Sequence, residues 1–286
     1  MTEKLIGDIV YREERIIAAQ KQHYVTLNQY IDRFITSISS GARQTEKGTN
    51  YAASTVKSVR AAMTQFSNFQ IEKGRKIDFL DVDMDFYHEY TAYLKEKNYS
   101  INSIGKCIKE LKTILRSAES EGYEVNPKYK DKKFKGTRIE VDSIYLTRDD
   151  LSKIMSADIS KLSQGYDLAR DIFMVGVWTA QRVSDYNNIG PNCIKHYERN
   201  YMLNGEYIKK EIDVIEIIQK KTKAKVIIPI SRQLSAILQK YNYILPKVKD
   251  ITINKYIKEI AKMAGIDQSV EIVKIQCGKY RKIHKP

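Results

Sequence analysis

Ala169-Arg170-Asp171-Ile172-Phe173-Met174-Val175-Gly176-Val177-Trp178-Thr179-Ala180-Gln181-Arg182-Val183-Ser184-Asp185 is the stretch that decides how this chain reads. An apolar helical run drives toward Arg182, and a short second helix starts just after it. The run is well short of the ~20 residues that cross a bilayer. A buried helix of this kind holds one arginine still. A guanidinium is a planar, permanently charged fork that fits two phosphate oxygens, and a rigid one stabilises developing charge without reorganising. The competing reading is a solvated arginine paired with Asp185, the ordinary state of surface arginines. A second piece downstream turns the balance.

The chain has 286 residues, which suggests about two domains, and 42% hydrophobic residues, enough for sizeable cores. Lys and Arg number 49 against 35 Asp and Glu, a formal net charge of +14. That excess favours a polyanionic partner, with nucleic acid first; charge alone also admits a ribosomal or membrane-surface protein. No apolar stretch reaches membrane-spanning length and no secretory pattern follows Met1. Cys107, Cys193 and Cys277 are odd in number and widely spaced, and the four histidines are scattered. No metal site is read from them, and the thiols fit a reduced, cytoplasmic setting.

Residues 1–25 are charged and weakly amphipathic, a linker segment. Leu27, Tyr30, Ile31, Phe34, Ile35 and Ile38 then recur at helical spacing as far as Ser39-Ser40-Gly41-Ala42. A second helix carries Val56, Val59, Ala62, Met63, Phe66 and Phe69 and ends at Gly74. A third runs from about Val82 to Lys97 with Phe86, Tyr90, Tyr93 and Leu94 inward. The fourth starts at Ser100, an N-cap, and carries Ile101, Ile104, Ile108, Leu111, Leu115 and Ala118. Residues 26–125 are therefore expected to form a small helical bundle with these stripes as its core. The opposite faces carry Lys57, Arg60, Lys106, Lys109, Lys112 and Arg116. Such runs are usually solvated, but the +14 balance makes a phosphate-contacting face as good a reading.

At residues 126–143 the period lapses into the basic run Asn126-Pro127-Lys128-Tyr129-Lys130-Asp131-Lys132-Lys133-Phe134-Lys135-Gly136, read as an interdomain tether open to proteases. Ile144-Tyr145-Leu146-Thr147-Arg148-Asp149-Asp150-Leu151 opens a second domain, 144–286, with Thr147 and Asp150 as a capping box. Gly190-Pro191 closes the short helix after Arg182, and residues 192–230 turn to strand character with an Asn204-Gly205 turn pair. Val214 to Ile218 and Val226 to Ile230 are β-rich and flank Gln219-Lys220-Lys221-Thr222-Lys223-Ala224-Lys225, a hairpin with a lysine-rich tip. Two helices follow, one through Leu234, Ile237, Leu238 and Tyr241, the other through Ile253, Ile257 and Ile260. Val270 to Ile275 reads as extended and the rest as basic and polar. The fold class expected is mainly α: a helical bundle plus an α+β domain with a small β-hairpin or sheet.

Thr179-Ala180-Gln181-Arg182-Val183-Ser184-Asp185 resembles the first catalytic-arginine box of the tyrosine recombinases (phage integrases), Thr-Gly-x-Arg-x-Ser-Glu/Asp, with Ala180 where the family usually has the glycine that tolerates positive φ. Lys221-Thr222-Lys223-Ala224-Lys225-Val226-Ile227-Ile228-Pro229-Ile230 is similar to the family's lysine hairpin, and Tyr145-Leu146-Thr147 to the start of its catalytic domain. The likeness is to a Bacteroides-type integrase, with residues 26–125 as its SAM-like core DNA-binding domain. It implies that Arg182 holds a scissile DNA phosphate. It implies that Lys221, a residue type whose pKa neighbouring cations can lower, is the general acid for the departing 5′-hydroxyl. Lys220 and Lys223 are the rivals in register and, with Lys57, Arg60, Lys106 and Lys109, the expected DNA contacts. The family forms a 3′-phosphotyrosyl link with no metal or nucleotide cofactor, and works as a homotetramer on double-stranded DNA. Its further His-x-x-Arg box, His or Trp, and nucleophilic tyrosine are not read here: His284 is followed by Lys285 and Pro286, and Tyr280 precedes where that box belongs. The chain is accordingly expected to be an inactive fragment of the catalytic domain. The alternative is a non-catalytic basic helical DNA-binding or architectural protein.

Overall fold

Thr26 starts the first helix of the structure, a computed structural model that describes residues 25–140, 144–276 and 279–285. The Thr26 hydroxyl accepts the Gln29 amide while the Gln29 side chain accepts the Thr26 N–H, so two orphan donors are satisfied reciprocally. Helix α1 (Leu27–Ser40) ends at Gly41, which is left-handed at φ 80°. Then come α2 (Ala53–Lys73), α3 (Met84–Glu96) and α4 (Ile101–Ser120). Their inner faces are the stripes expected from sequence, and Phe34, Phe66, Phe69, Phe86, Tyr90 and Ile108 are among the most deeply buried. Phe69 meets Phe86 and Tyr90 edge-on, the geometry that aromatic quadrupoles favour.

The expected tether is folded. Pro127–Lys130 makes a turn of 3-10 helix, and Tyr129 and Phe134 sink into the bundle core at 1% and 0% exposure. The Tyr129 hydroxyl donates to Glu119 at 2.7 Å. Further on, the Asn102 amide donates to the Ile139 carbonyl at 3.0 Å and accepts its N–H at 2.8 Å. Two aromatic anchors five residues apart leave no period, and the lysines around them face water, so the segment reads as solvated while its backbone is held. Residues 1–24, nearly all of the expected N-terminal linker, lie outside the described residues.

Contacts divide the chain into two units, Met1–Asp142 with Ile272–Ile283 and Ser143–Glu271 with His284–Pro286. In the second, Thr147 and Asp150 form the expected capping box at the start of α5 (Arg148–Ser156). There follow α6 (Gln164–Thr179), α7 (Val183–Tyr186), the antiparallel sheet of β1 (Ile194–Leu203), β2 (Glu206–Ile218) and β3 (Lys225–Pro229), then α8 (Arg232–Lys240) and α9 (Asp250–Met263). Asn204 and Gly205 turn β1 into β2 with φ of 51° and 86°, the signs a tight hairpin requires. β3 pairs only with Val214 to Ile218 of β2, so most of the β1–β2 ladder runs on as a two-stranded ribbon. Ile215, Ile217 and Ile228 of the sheet join Ile172, Met174 and Val175 of α6 and Leu234 and Leu238 of α8 in one core. A polar knot fastens α6 as well: buried Asp171 accepts from Lys240 Nζ at 2.6 Å and from the Tyr241 hydroxyl at 2.8 Å. Burial, then the bond to Asp171, pushes that phenol up to about 12. The end expected to be only basic and polar instead supplies β5 (Lys279–Lys285), paired with β4 (Val270–Gln276).

Limited chymotrypsin digestion should cut first at Tyr145, which is 82% exposed, and spare the buried Tyr129 and Phe134. Phe134→Ala should expose Tyr129 to the same protease and cost ~3–5 kcal/mol of stability in denaturant.

Candidate active site

Ile172, Met174 and Val175 bury α6 along its length and fix where its end falls. The Thr179 hydroxyl, itself buried, donates back to the Val175 carbonyl at 2.7 Å. Ala180 then leaves the helix in the left-handed region, φ 52° and ψ 27°. This is the conformation that the glycine of the resembled motif favours, and for alanine it carries a penalty of roughly 1–2 kcal/mol. The chain reverses there, so Arg182 becomes the N-cap of α7 in extended geometry, φ −73° and ψ 152°. Its side chain is 49% exposed, with Nη1 3.7 Å from Oδ2 of Asp185.

Asp185 is the centre of the arrangement. Its side chain is 0% exposed. Oδ1 accepts the backbone N–H of Lys220 at 2.9 Å and the Ser184 hydroxyl at 3.4 Å. Among the described residues Oδ2 has no hydrogen-bond partner and faces the guanidinium instead. A buried carboxylate without such neighbours would be strongly unfavourable. One side chain therefore joins the arginine of α7 to the turn that carries the lysines.

A second tie runs beside it. Gln219 Nε2 donates to Gln181 Oε1 at 2.7 Å, Gln181 Nε2 to the Thr179 carbonyl at 3.2 Å, and the Thr222 hydroxyl to Gln219 Oε1 at 2.6 Å. The β2–β3 turn closes through Gln219 N–H to Ala224 O and Lys223 N–H to Gln219 O, both 2.9 Å, with Lys223 at φ 60°. The side chains of Lys220, Lys221 and Lys223 are exposed on this turn. The site is one anchored guanidinium beside a turn of ammonium groups, fitted to an anion with several oxygens. The glutamines were missed in the sequence because an uncharged amide gives no signal until its partner's position is known.

His196-Tyr197-Glu198-Arg199 spells His-x-x-Arg, a match the sequence reading passed over. It lies on β1, ahead of the lysine turn, and exposed His196 pairs with Asp213 of β2. That is the wrong order for the second box of the resembled family.

The other expected contacts are on the helical unit. Lys57 and Arg60 of α2 and Lys106 and Lys109 of α4 are exposed. Ion pairs among the described residues engage Arg43, Lys73, Arg75, Lys97 and Lys130 there and leave these four free of a carboxylate within 4.0 Å. Lys135 and Arg138, taken as tether residues in the sequence, line a cleft with Lys106 and Lys109. Among the described residues no group of three or more His, Cys, Asp or Glu is gathered as a metal site, and no helix is long and apolar enough to cross a membrane.

Residues 26–135 match the family model of the phage integrase SAM-like domain. That match covers the four helices of the bundle and the segment folded onto them. It runs through Tyr129 and Phe134, the residues that fold the former tether onto the bundle. Among solved structures, a lambda integrase dimer bound to a COC′ core site is similar at a TM-score of 0.59 and 18% identity over 84% of this chain and 82% of that one. A lambda integrase tetramer bound to a Holliday junction gives 0.59 and 18% over 91% and 75%. The XerH site-specific recombinase bound to palindromic difH substrate gives 0.56 and 13% over 84% and 79%. The chain thus shares its fold with these integrase and recombinase structures. No curated protein matches the sequence.

Ala180→Gly should raise the melting temperature of the second unit by a few degrees, about 1 kcal/mol, since glycine is unstrained at φ 52°. Asp185→Ala should strip hydrogen-exchange protection from the Lys220 amide by about tenfold or more, with the β1–β2 ladder unaffected.

Proposed function

We propose that this protein is a site-specific DNA recombinase of the tyrosine class. Arg182 holds the scissile phosphate and stabilises the charge on its equatorial oxygens, and Lys221 gives the proton to the departing 5′-hydroxyl. In the reaction of this class a tyrosine attacks the phosphorus. The P–O bond to the 5′-oxygen breaks as the 3′-phosphotyrosyl bond forms, which keeps the phosphodiester energy and requires no metal or nucleotide. The observation that carries the reading is Asp185. Its buried carboxylate binds the Lys220 amide and faces Arg182, so arginine and lysine turn share one support. That tie keeps a guanidinium and a turn of ammonium groups at one place, as chemistry at a single phosphate requires. The fold is also that of lambda integrase and XerH, whose solved complexes are with DNA.

In this reading the helical unit is the core-binding domain and residues from 144 onward belong to the catalytic domain. Lys57, Arg60, Lys106, Lys109, Lys220 and Lys223 contact phosphates of double-stranded DNA. The enzyme acts in the cytoplasm as a homotetramer, as the lambda integrase tetramer on a Holliday junction suggests. No His-x-x-Arg box follows the lysine turn within these 286 residues, so the chain alone should bind duplex without cutting it.

In a recombination assay with the whole gene's product, Arg182→Ala should abolish strand cleavage and keep DNA binding, one phosphate contact among many. Lys221→Ala should slow cleavage of ordinary DNA and recover on a substrate whose 5′ leaving atom is sulfur, which needs no proton. Cleavage at the normal rate by Lys221→Ala would move the assignment to Lys220 or Lys223.

A further inference from the structure

Residues 134–139 run antiparallel along α4, fixed at three points. At one end the Lys112 ammonium donates to the Phe134 carbonyl at 2.5 Å, and at the other Asn102 brackets Ile139. Between them the two backbones touch, and both residues there are glycine. A methyl on Gly105 would lie 2.2 Å from the Thr137 carbonyl oxygen, and one on Gly136 2.1 Å from the Gly105 carbonyl oxygen. Neither glycine has a left-handed φ, so it is space and not backbone conformation that excludes a side chain at both.

This contact forms the floor of a cleft of about 660 Å³. Lys106, Lys109, Lys112 and Arg116 line it from α4, and Lys135 and Arg138 from the other strand of chain. The one carboxyl among the lining residues, Glu110, is pushed up by burial while Lys109 and Lys106 pull it down. Lys112 is occupied by Phe134, whose ring it also covers. The other cations stand on both walls. Lys106 to Arg116 spans about 15 Å of helix at the α-helical rise, the axial length of about four phosphates of one DNA strand. Charges strung out over that length fit a repeating polyanion and exceed what a single small anion can engage.

We infer that Gly105 and Gly136 are a latch that closes residues 134–139 onto α4, and that the cleft so completed grips the sugar–phosphate backbone of duplex DNA. This rests on the DNA-binding reading above and assigns part of that binding to a segment with no helix of its own.

The test is fluorescence anisotropy of a labelled duplex with the full 286-residue chain across a potassium chloride series. The wild type should bind with a steep negative dependence of log affinity on log salt. The double variant Lys135→Ala with Arg138→Ala should flatten that slope by about 1–2 and weaken binding tenfold or more at low salt. Gly136→Ala removes no charge but holds the latch open, so it should flatten the slope by a similar amount. Lys97→Ala, at the C-cap of α3, outside the cleft lining and paired with Glu72, should leave the slope unchanged. If the wild type does not bind duplex at any salt, the functional reading falls. If it binds and the double variant keeps the wild-type slope, the cleft is overturned while that reading stands. A folded Gly136→Ala protein with the wild-type slope overturns the latch. Should that variant fail to fold, Asn102→Ala, which frees the Ile139 end without adding a side chain, decides the latch by the same slope, and the double variant decides the cleft.

Discussion

A carboxylate shut away from water has to be met by donors or cations, and that requirement organises the second unit. Asp185 meets it with a backbone amide from the lysine turn and the guanidinium of Arg182. Moving either partner leaves charge uncompensated in a poorly polarisable interior, so the two are fixed to each other more tightly than surface residues would be. The core beneath keeps this carboxylate in place. α6 packs on the sheet and on α8, and Asp171 ties its middle to Lys240 and Tyr241. The glutamine pair adds a second connection that carries no charge.

The helical unit solves a different problem. Its stability comes from an aromatic and aliphatic core, and its surface keeps Lys57, Arg60, Lys106 and Lys109 free of ion pairs among the described residues. The fold of residues 127–139 onto α4 extends that surface without lengthening a helix. Close backbone approach at Gly105 and Gly136 is what makes this possible, since any side chain at either position would hold the two segments apart.

Much of this was legible in the residues. The four helices of the bundle follow their stripes and caps, from Thr26 to Ser100. Arg182 and the lysine turn were readable because an apolar helix ending in a charged box, and a hairpin with Asn204-Gly205 at one end and lysines at the other, are local patterns. The polar segment that packs through Tyr129 and Phe134 was not, because isolated anchors have no period and their neighbours are lysines. Gln181 and Gln219 were not, because their bond joins residues 38 apart in sequence. β5 was hidden by a run of basic residues with no alternation. Short-range chemistry is written in the sequence directly; contacts between distant uncharged residues appear only once the chain is folded.

β2 is held on both sides, by β1 along most of its length and by β3 at the end nearest the lysines. Ile215 and Ile217 point into the core while Ile218 is exposed. A slip of one residue along these ladders would turn the inward isoleucines to solvent and bring Glu216 inward. The strand can therefore shift only in steps of two residues, roughly 6–7 Å. Lys221 follows Ile218 by three residues on the same run of chain. Its position along the sheet is digital: the ladder admits one setting or a distant one, and nothing between, so fine adjustment of its reach is left to the side chain's own rotamers.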